Sequence, residues 1–114
     1  MKSLQQININ EIQRTALEEL NRILYASLQV DHIHLYGSYA REEADSESDI
    51  DLLIITRFRL DRKTRHQITD IVFEINLRYG TNISTLVVDR ESWNNGLFSI
   101  LPLRDEILRE GVLL

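Results

Sequence analysis

The 114-residue chain has no cysteine, one proline, four glycines and one tryptophan. Without cysteine, a disulfide scaffold, a Cys-ligated zinc site and a thiol nucleophile are excluded. No apolar run approaches the ~18 residues needed to cross a bilayer, and the N-terminus lacks the apolar core of a signal peptide. The expectation is therefore a cytoplasmic protein with no membrane association, in a prokaryote-like cell. No internal repeat, low-complexity tract or linker is visible. At 43% hydrophobic residues the chain is too apolar for disorder. Its length fits one domain of about 100–200 residues, so residues 1–114 are expected to form a single unit.

Positive charge is in deficit: 13 Lys and Arg stand against 18 Asp and Glu, a net charge of −5. That balance argues against general affinity for nucleic acid. The distribution is uneven. Six acids, Glu42, Glu43, Asp45, Glu47, Asp49 and Asp51, occur with no base among them. Five bases follow between Arg57 and Arg65, interrupted by Asp61 alone. The blocks leave room for a metal ion on one side and phosphate on the other; two solvated loops of opposite sign is the plainer reading.

A first helix is expected after Asn10, where Gln13 completes a capping-box pattern and Ile12, Ala16, Leu20, Ile23 and Leu24 recur at helical spacing. A short strand from His32 to Tyr36 runs into Gly37-Ser38. His32 and His34 are read as polar strand positions, since no third nitrogen or sulfur ligand accompanies them. The dozen residues that follow suit a short helix or a long turn. A second strand spans Asp49 to Thr56, with Leu52 to Ile55 apolar on both faces, as in an interior strand. Asp61 or Thr64 caps the next helix, whose stripe is Ile68, Ile71, Val72, Ile75 and Tyr79 and whose end is Gly80. A third strand covers Asn82 to Val88, then a loop around Asn94-Asn95-Gly96. A last helix follows, with Pro102 in its first turn and Gly111 beyond its end. The order predicts an α/β protein in the α+β two-layer sense, a small mixed sheet packed by helices.

Asp49 and Asp51 carry the chemistry. Residues i and i+2 of a strand share a face, with Cα atoms about 6.5–7 Å apart. Two carboxylates at that spacing can converge on hard divalent cations such as magnesium, which could clamp the oxygens of a phosphoryl or nucleotidyl transfer. They open an otherwise apolar strand, where their repulsion is unfavourable unless a cation offsets it. Gly37 and Ser38 end the preceding strand, where backbone N–H groups and a hydroxyl can cradle phosphate.

These residues form a recognisable pattern. Leu35-Tyr36-Gly37-Ser38-Tyr39-Ala40-Arg41, followed by Asp45-Ser46-Glu47-Ser48-Asp49-Ile50-Asp51-Leu52, resembles the signature of the DNA polymerase beta-like nucleotidyltransferase superfamily: Gly-Ser, ten residues, then Asp-x-Asp. Ile107-Leu108-Arg109-Glu110-Gly111 is similar to the usual ending of a minimal, stand-alone member of the kind paired with HEPN-domain proteins. The resemblance implies that Asp49 and Asp51 are catalytic and ligate Mg²⁺, and that Gly37 and Ser38 bind the nucleotide phosphates. It also gives Arg41 a phosphate role, beside which an ion pair with a neighbouring acid stands as the structural reading. The implied reaction moves a nucleoside monophosphate from an NTP, ATP above all, to a hydroxyl; the implied acceptor is a tyrosine of a HEPN-domain toxin, with this chain the antitoxin. A small-molecule acceptor such as an aminoglycoside fits less well in so short a chain.

Two positions depart from the pattern. Glu42 stands where glycine is common, so the turn is expected to differ in shape. Ser84 falls where active members carry a third carboxylate, and neither Asp89, five residues on, nor Asp70 and Glu74 on a helix is an assured replacement. A degenerate antitoxin or binding subunit is therefore the second expectation. The apolar Val112-Leu113-Leu114 is read as a segment to be buried against a partner, and a homo-oligomer remains open.

Overall fold

A computed structural model describes residues 2–114. The first long helix, α1 (Glu11–Ser27), begins at a reciprocal cap: the Gln13 N–H donates to Asn10 Oδ1 at 2.8 Å, and the Asn10 N–H donates to Gln13 Oε1 at 3.0 Å. Such a cap contributes about 1 kcal/mol. The buried stripe is Ala16, Leu17, Leu20 and Leu24. It is rotated slightly from the expected one, leaving Ile12 57% exposed at the helix start and Ile23 only partly buried.

β2 (Val30–Tyr36) starts two residues earlier than the pattern suggested, and β3 (Ile50–Thr56) one later, leaving Asp49 just ahead of the strand. Between them the chain makes a long turn, held by N–H donation from Arg41 to the Gly37 carbonyl at 3.1 Å and from Glu43 to that of Ser38 at 2.9 Å. Glu42 adopts φ +60°, the left-handed region glycine occupies without cost and other residues at about 1–2 kcal/mol. The turn thus takes a backbone conformation suited to glycine although the residue is glutamate. α2 (Arg62–Tyr79) is capped by Asp61, whose carboxylate accepts from the Thr64 N–H at 2.8 Å, and ends at left-handed Gly80 (φ +65°).

β4 (Ile83–Asp89) runs one residue further than expected, and Asp89 caps a short helix, α3 (Arg90–Asn94), where the sequence suggested only a loop. A 3₁₀ turn at Leu97–Ile100 leads to α4 (Pro102–Glu110). Two short strands, β1 (Lys2–Ser3) and β5 (Val112–Leu113), complete a five-stranded mixed sheet of order β1-β5-β2-β3-β4. β2 is antiparallel to β3 and to β5, while β3–β4 and β1–β5 are parallel.

β5 corrects one reading. Val112 is fully buried inside this domain's own sheet and Leu114 is partly buried, so of the apolar C-terminal segment only Leu113, 43% exposed, is left open to a partner. The pairing that captures it is with β2, far away in sequence, and three apolar residues give no sign of it.

Alternation along β3 divides the core. Leu52 and Ile54 point into the larger cluster with α1 and α2, including Leu17, Leu20, Ile68 and Ile75. Leu53 and Ile55 point the other way, into a smaller cluster with Trp93 and Ile107 of α3 and α4. Each such side chain contributes about 1.5–3 kcal/mol on burial. Because both faces of β2 are covered as well, His34 is buried rather than half-buried, and its Nδ1 has no hydrogen-bond partner. Asp51 lies on the Leu53 face, where cover gives out towards the strand's start. No helix of the described residues is long and apolar enough to cross a membrane.

Candidate active site

One rung crosses three strands. β2 and β3 pair Tyr36 with Asp51, and the parallel register of β3 and β4 pairs Asp51 with Ser84. The three side chains therefore share a face. Immediately after Tyr36 the chain turns at Gly37 with φ +77°, and a Cβ built there would stand 2.5 Å from Asp51 Oδ2. Glycine is required twice over, for the left-handed backbone and for the approach of the carboxylate. The Gly-Ser turn and the second acid of Asp-x-Asp, 14 positions apart in sequence, are thus in contact.

Burial raises the Asp51 carboxyl above its ordinary range; the negative charge of Asp49 adds to the rise, and Arg41 opposes it. Tyr36 is raised by burial, then by Asp51 and Glu106. Asp49 is exposed, and its Oδ1 accepts a hydrogen bond from Asn82 Nδ2. The Asn82 carbonyl accepts the Ile50 N–H at 2.9 Å, starting the β3–β4 ladder.

Arg41 is drawn towards α4. Its guanidinium donates to Glu106 at 2.7 Å and to Glu43 at 3.2 Å, with Glu110 at 3.8 Å. Of the two readings of Arg41, the ion pair is the one the structure contains. A hollow of about 630 Å³ opens beyond it, lined by Ala40, Arg41, Glu43 and Glu110 together with Lys2 and Arg109. A second, of about 280 Å³, lies by Ser48, Ile50 and Asn82 and is lined by uncharged side chains, among them Gln13, Tyr39 and Thr81.

Ser84 is the expected departure, and its register is now explicit: an exposed hydroxyl residue stands beside Asp51 where a third acid was sought. Asp89 pairs with Thr56 at the other end of β3 and is occupied in capping α3, its carboxylate accepting from the Ser92 N–H at 3.0 Å and Oγ–H at 2.8 Å. Asp70 and Glu74 are exposed on α2. Among the described residues, no three His, Asp or Glu side chains converge as a metal site. Asp49 and Asp51 supply the carboxylate oxygens, hard donors of the kind a divalent cation takes, and a bound cation would offset the Asp49 charge that adds to the effect of burial at Asp51. They fit such an ion.

The profile of the nucleotidyltransferase domain matches residues 14–114. The chain belongs to this family. A Methanocaldococcus jannaschii relative, provisionally named a protein adenylyltransferase, is 45% identical over 73 residues, 62% of this nucleotidyltransferase and 48% of that protein. The chain thus spans about half the length of that relative. A second protein of the same organism and the same provisional name is 33% identical over 81 residues, covering 71% of this chain and 80% of the relative. Among solved structures, a minimal nucleotidyltransferase aligns with a TM-score of 0.64 at 21% identity, over 91% of this chain and 94% of that one. A chain from the complex of a tri-AMPylated Shewanella oneidensis HEPN toxin with an MNT antitoxin aligns with a TM-score of 0.53 at 17% identity, over 89% and 70%. At these identities the structural likeness shows the fold. The family, and the mixed sheet packed by helices, are as the sequence indicated.

Four contributors escaped the sequence reading. Asn82 could have been found by laying the parallel strands side by side, because Asn82-x-Ser84 mirrors Asp49-x-Asp51. Tyr36 follows from the antiparallel register. Glu106 and Glu110 carry no local sign, since only the docking of α4 brings them to Arg41.

Proposed function

We propose that this nucleotidyltransferase is an adenylyltransferase that moves AMP from ATP to a protein hydroxyl, with a HEPN-domain partner as acceptor. The observation that carries the reading is the contact between the left-handed Gly37 turn and Asp51, with Asp49 beside it. It unites a phosphate cradle with a pair of cation-binding carboxylates. The names of the curated relatives support adenylyl transfer to protein, and the toxin–antitoxin complex among the structural neighbours supports the partner class.

In this reading the Gly37 turn and the Ser38 hydroxyl bind the triphosphate, and Asp49 and Asp51 hold Mg²⁺. The bound ion would supply charge neutralisation at the α-phosphate and at the departing pyrophosphate. The acceptor oxygen forms its bond to the α-phosphorus as the bond to the β-phosphate bridge breaks; pyrophosphate leaves, and the hydroxyl proton passes to solvent. With Ser84 in place of a third acid, no carboxylate on β4 takes that proton, so this chain's contribution is binding and orientation. Arg41 reaches phosphate only by exchanging Glu43 and Glu106 for it.

The test is incubation of the purified chain and a HEPN-domain protein with ATP labelled at the α-phosphate and Mg²⁺. Label should appear on the partner and fall about 10³-fold or more when Asp49→Asn is combined with Asp51→Asn. Label that survives the double substitution would sink the reading. A second reading rests on the Ser84 register: a nucleotide-binding antitoxin subunit without transfer chemistry. Neutralisation of the partner that persists in the double variant, with no label on the partner in either protein, selects it.

A further inference from the structure

Resting on the cation role proposed for Asp49 and Asp51, the geometry points to Asn82 as the residue that positions Asp49 for a divalent cation. The two carboxylates are placed by different means. Asp51 lies within β3, partly buried, with Gly37 packed against its Oδ2. Asp49 precedes the strand, is exposed, and has one side-chain partner among the described residues: Asn82 Nδ2 donates to its Oδ1. Left alone, a carboxylate there would sample several rotamers and pay the ordering entropy on each binding event. The amide fixes the side chain beforehand and leaves Oδ2 free to ligate.

The chemical type of the donor matters. A lysine or arginine at position 82 would hold Asp49 more strongly but place a positive charge where the cation must bind. A carboxylate could not donate at all. A neutral amide orients the ligand without competing with the ion, the task that partners of metal ligands perform in general. Position 82 is also insulated from the fold: its side chain is exposed, and its structural hydrogen bond to the Ile50 N–H uses the backbone carbonyl, which every substitution keeps.

Mn²⁺ binding to the purified full chain without nucleotide, followed by electron paramagnetic resonance, tests this. Asn82→Leu, similar in size and without a donor, should weaken Mn²⁺ binding about 10-fold while the metal-free melting temperature stays close to that of wild type. Asn82→Gln, with its amide on a longer stem, should recover part of the loss. Unchanged Mn²⁺ affinity in Asn82→Leu would overturn the inference and leave the role of the aspartates standing. A joint fall of affinity and metal-free melting temperature in both variants would overturn it too, because Asn82 would then be structural. A wild-type chain that binds no Mn²⁺ would overturn the cation role and this inference with it.

Discussion

The two ends of β3 carry opposite charge and are built on opposite terms. At its start, Asp49 and Asp51 are engaged: one by the Asn82 amide, the other by the approach of Gly37. At its finish, Arg57, Arg59, Arg62, Lys63 and Arg65 are exposed, and none lies within ion-pairing distance of a carboxylate among the described residues. Five buried residues, Leu52 to Thr56, separate the ends by about 20 Å of extended chain. Blocks that are neighbours in sequence are therefore remote in space. The basic block is thus too far off to face the two carboxylates, and the positive charge that acts on Asp51 is that of Arg41.

Gly37→Ala strikes the acid end hardest. A methyl 2.5 Å from Asp51 Oδ2 on a φ of +77° cannot be accommodated without displacing the carboxylate. Stability should fall by about 1–3 kcal/mol in thermal melts, and label transfer should fall by about 10-fold or more. Ser84→Asp sharpens the contrast from the other direction. An acid on the Asp51 rung should raise transfer by about 10-fold or more if the chain is an active enzyme, since a positioned base contributes about 10²–10⁴. No label on the partner from either the wild-type chain or the Ser84→Asp variant would favour the binding-subunit reading.

Asp51→Asn should separate stability from function. The folded carboxyl titrates above its unfolded value through burial and then Asp49. Folding therefore loses stability as pH rises through that interval, because the unfolded chain releases its proton first. At neutral pH without cation, the variant should melt slightly higher than wild type, an effect kept small by solvent screening; a lower melting temperature would contradict the sign. The smallest effect belongs to the basic end. Changing Arg57, Arg59 and Arg62 together to Gln should alter ATP affinity by less than about 2-fold, since charges beyond a Debye length are screened. A larger loss in calorimetric titration would mean that the two ends communicate.

Local signals were sufficient for much of this. The Asn10–Gln13 cap, the Gly80 stop and the apolar run of β3 each act within a few residues and were readable directly. The Gly37-Ser38 and Asp49-x-Asp51 pairs were readable as motifs, although their contact depends on the register of β2 against β3. What stayed hidden depends on pairing across the chain. Two-residue strands such as β1 and β5 have no periodicity to detect. The attachment of Arg41 to Glu106 and Glu110 crosses about half the sequence. Glu42 shows the converse: its left-handed backbone, φ +60°, is one that the letter glutamate gives no reason to expect.

The placement of β5 has a kinetic meaning. Its pairing of Leu113 with His34 and Val112 with Leu35 closes one of the longest loops in the molecule, and contacts of that separation are slow to form. The β2–β3–α2–β4 unit can condense earlier, on nearer contacts. β5 and α4 would then dock late, so substitutions at Val112 should speed unfolding more than they slow folding. Glu106 and Glu110 arrive with that step. The Gly37–Ser48 turn would gain its bridge to α4 only as the last strand settles, making completion of the site one of the final events of folding.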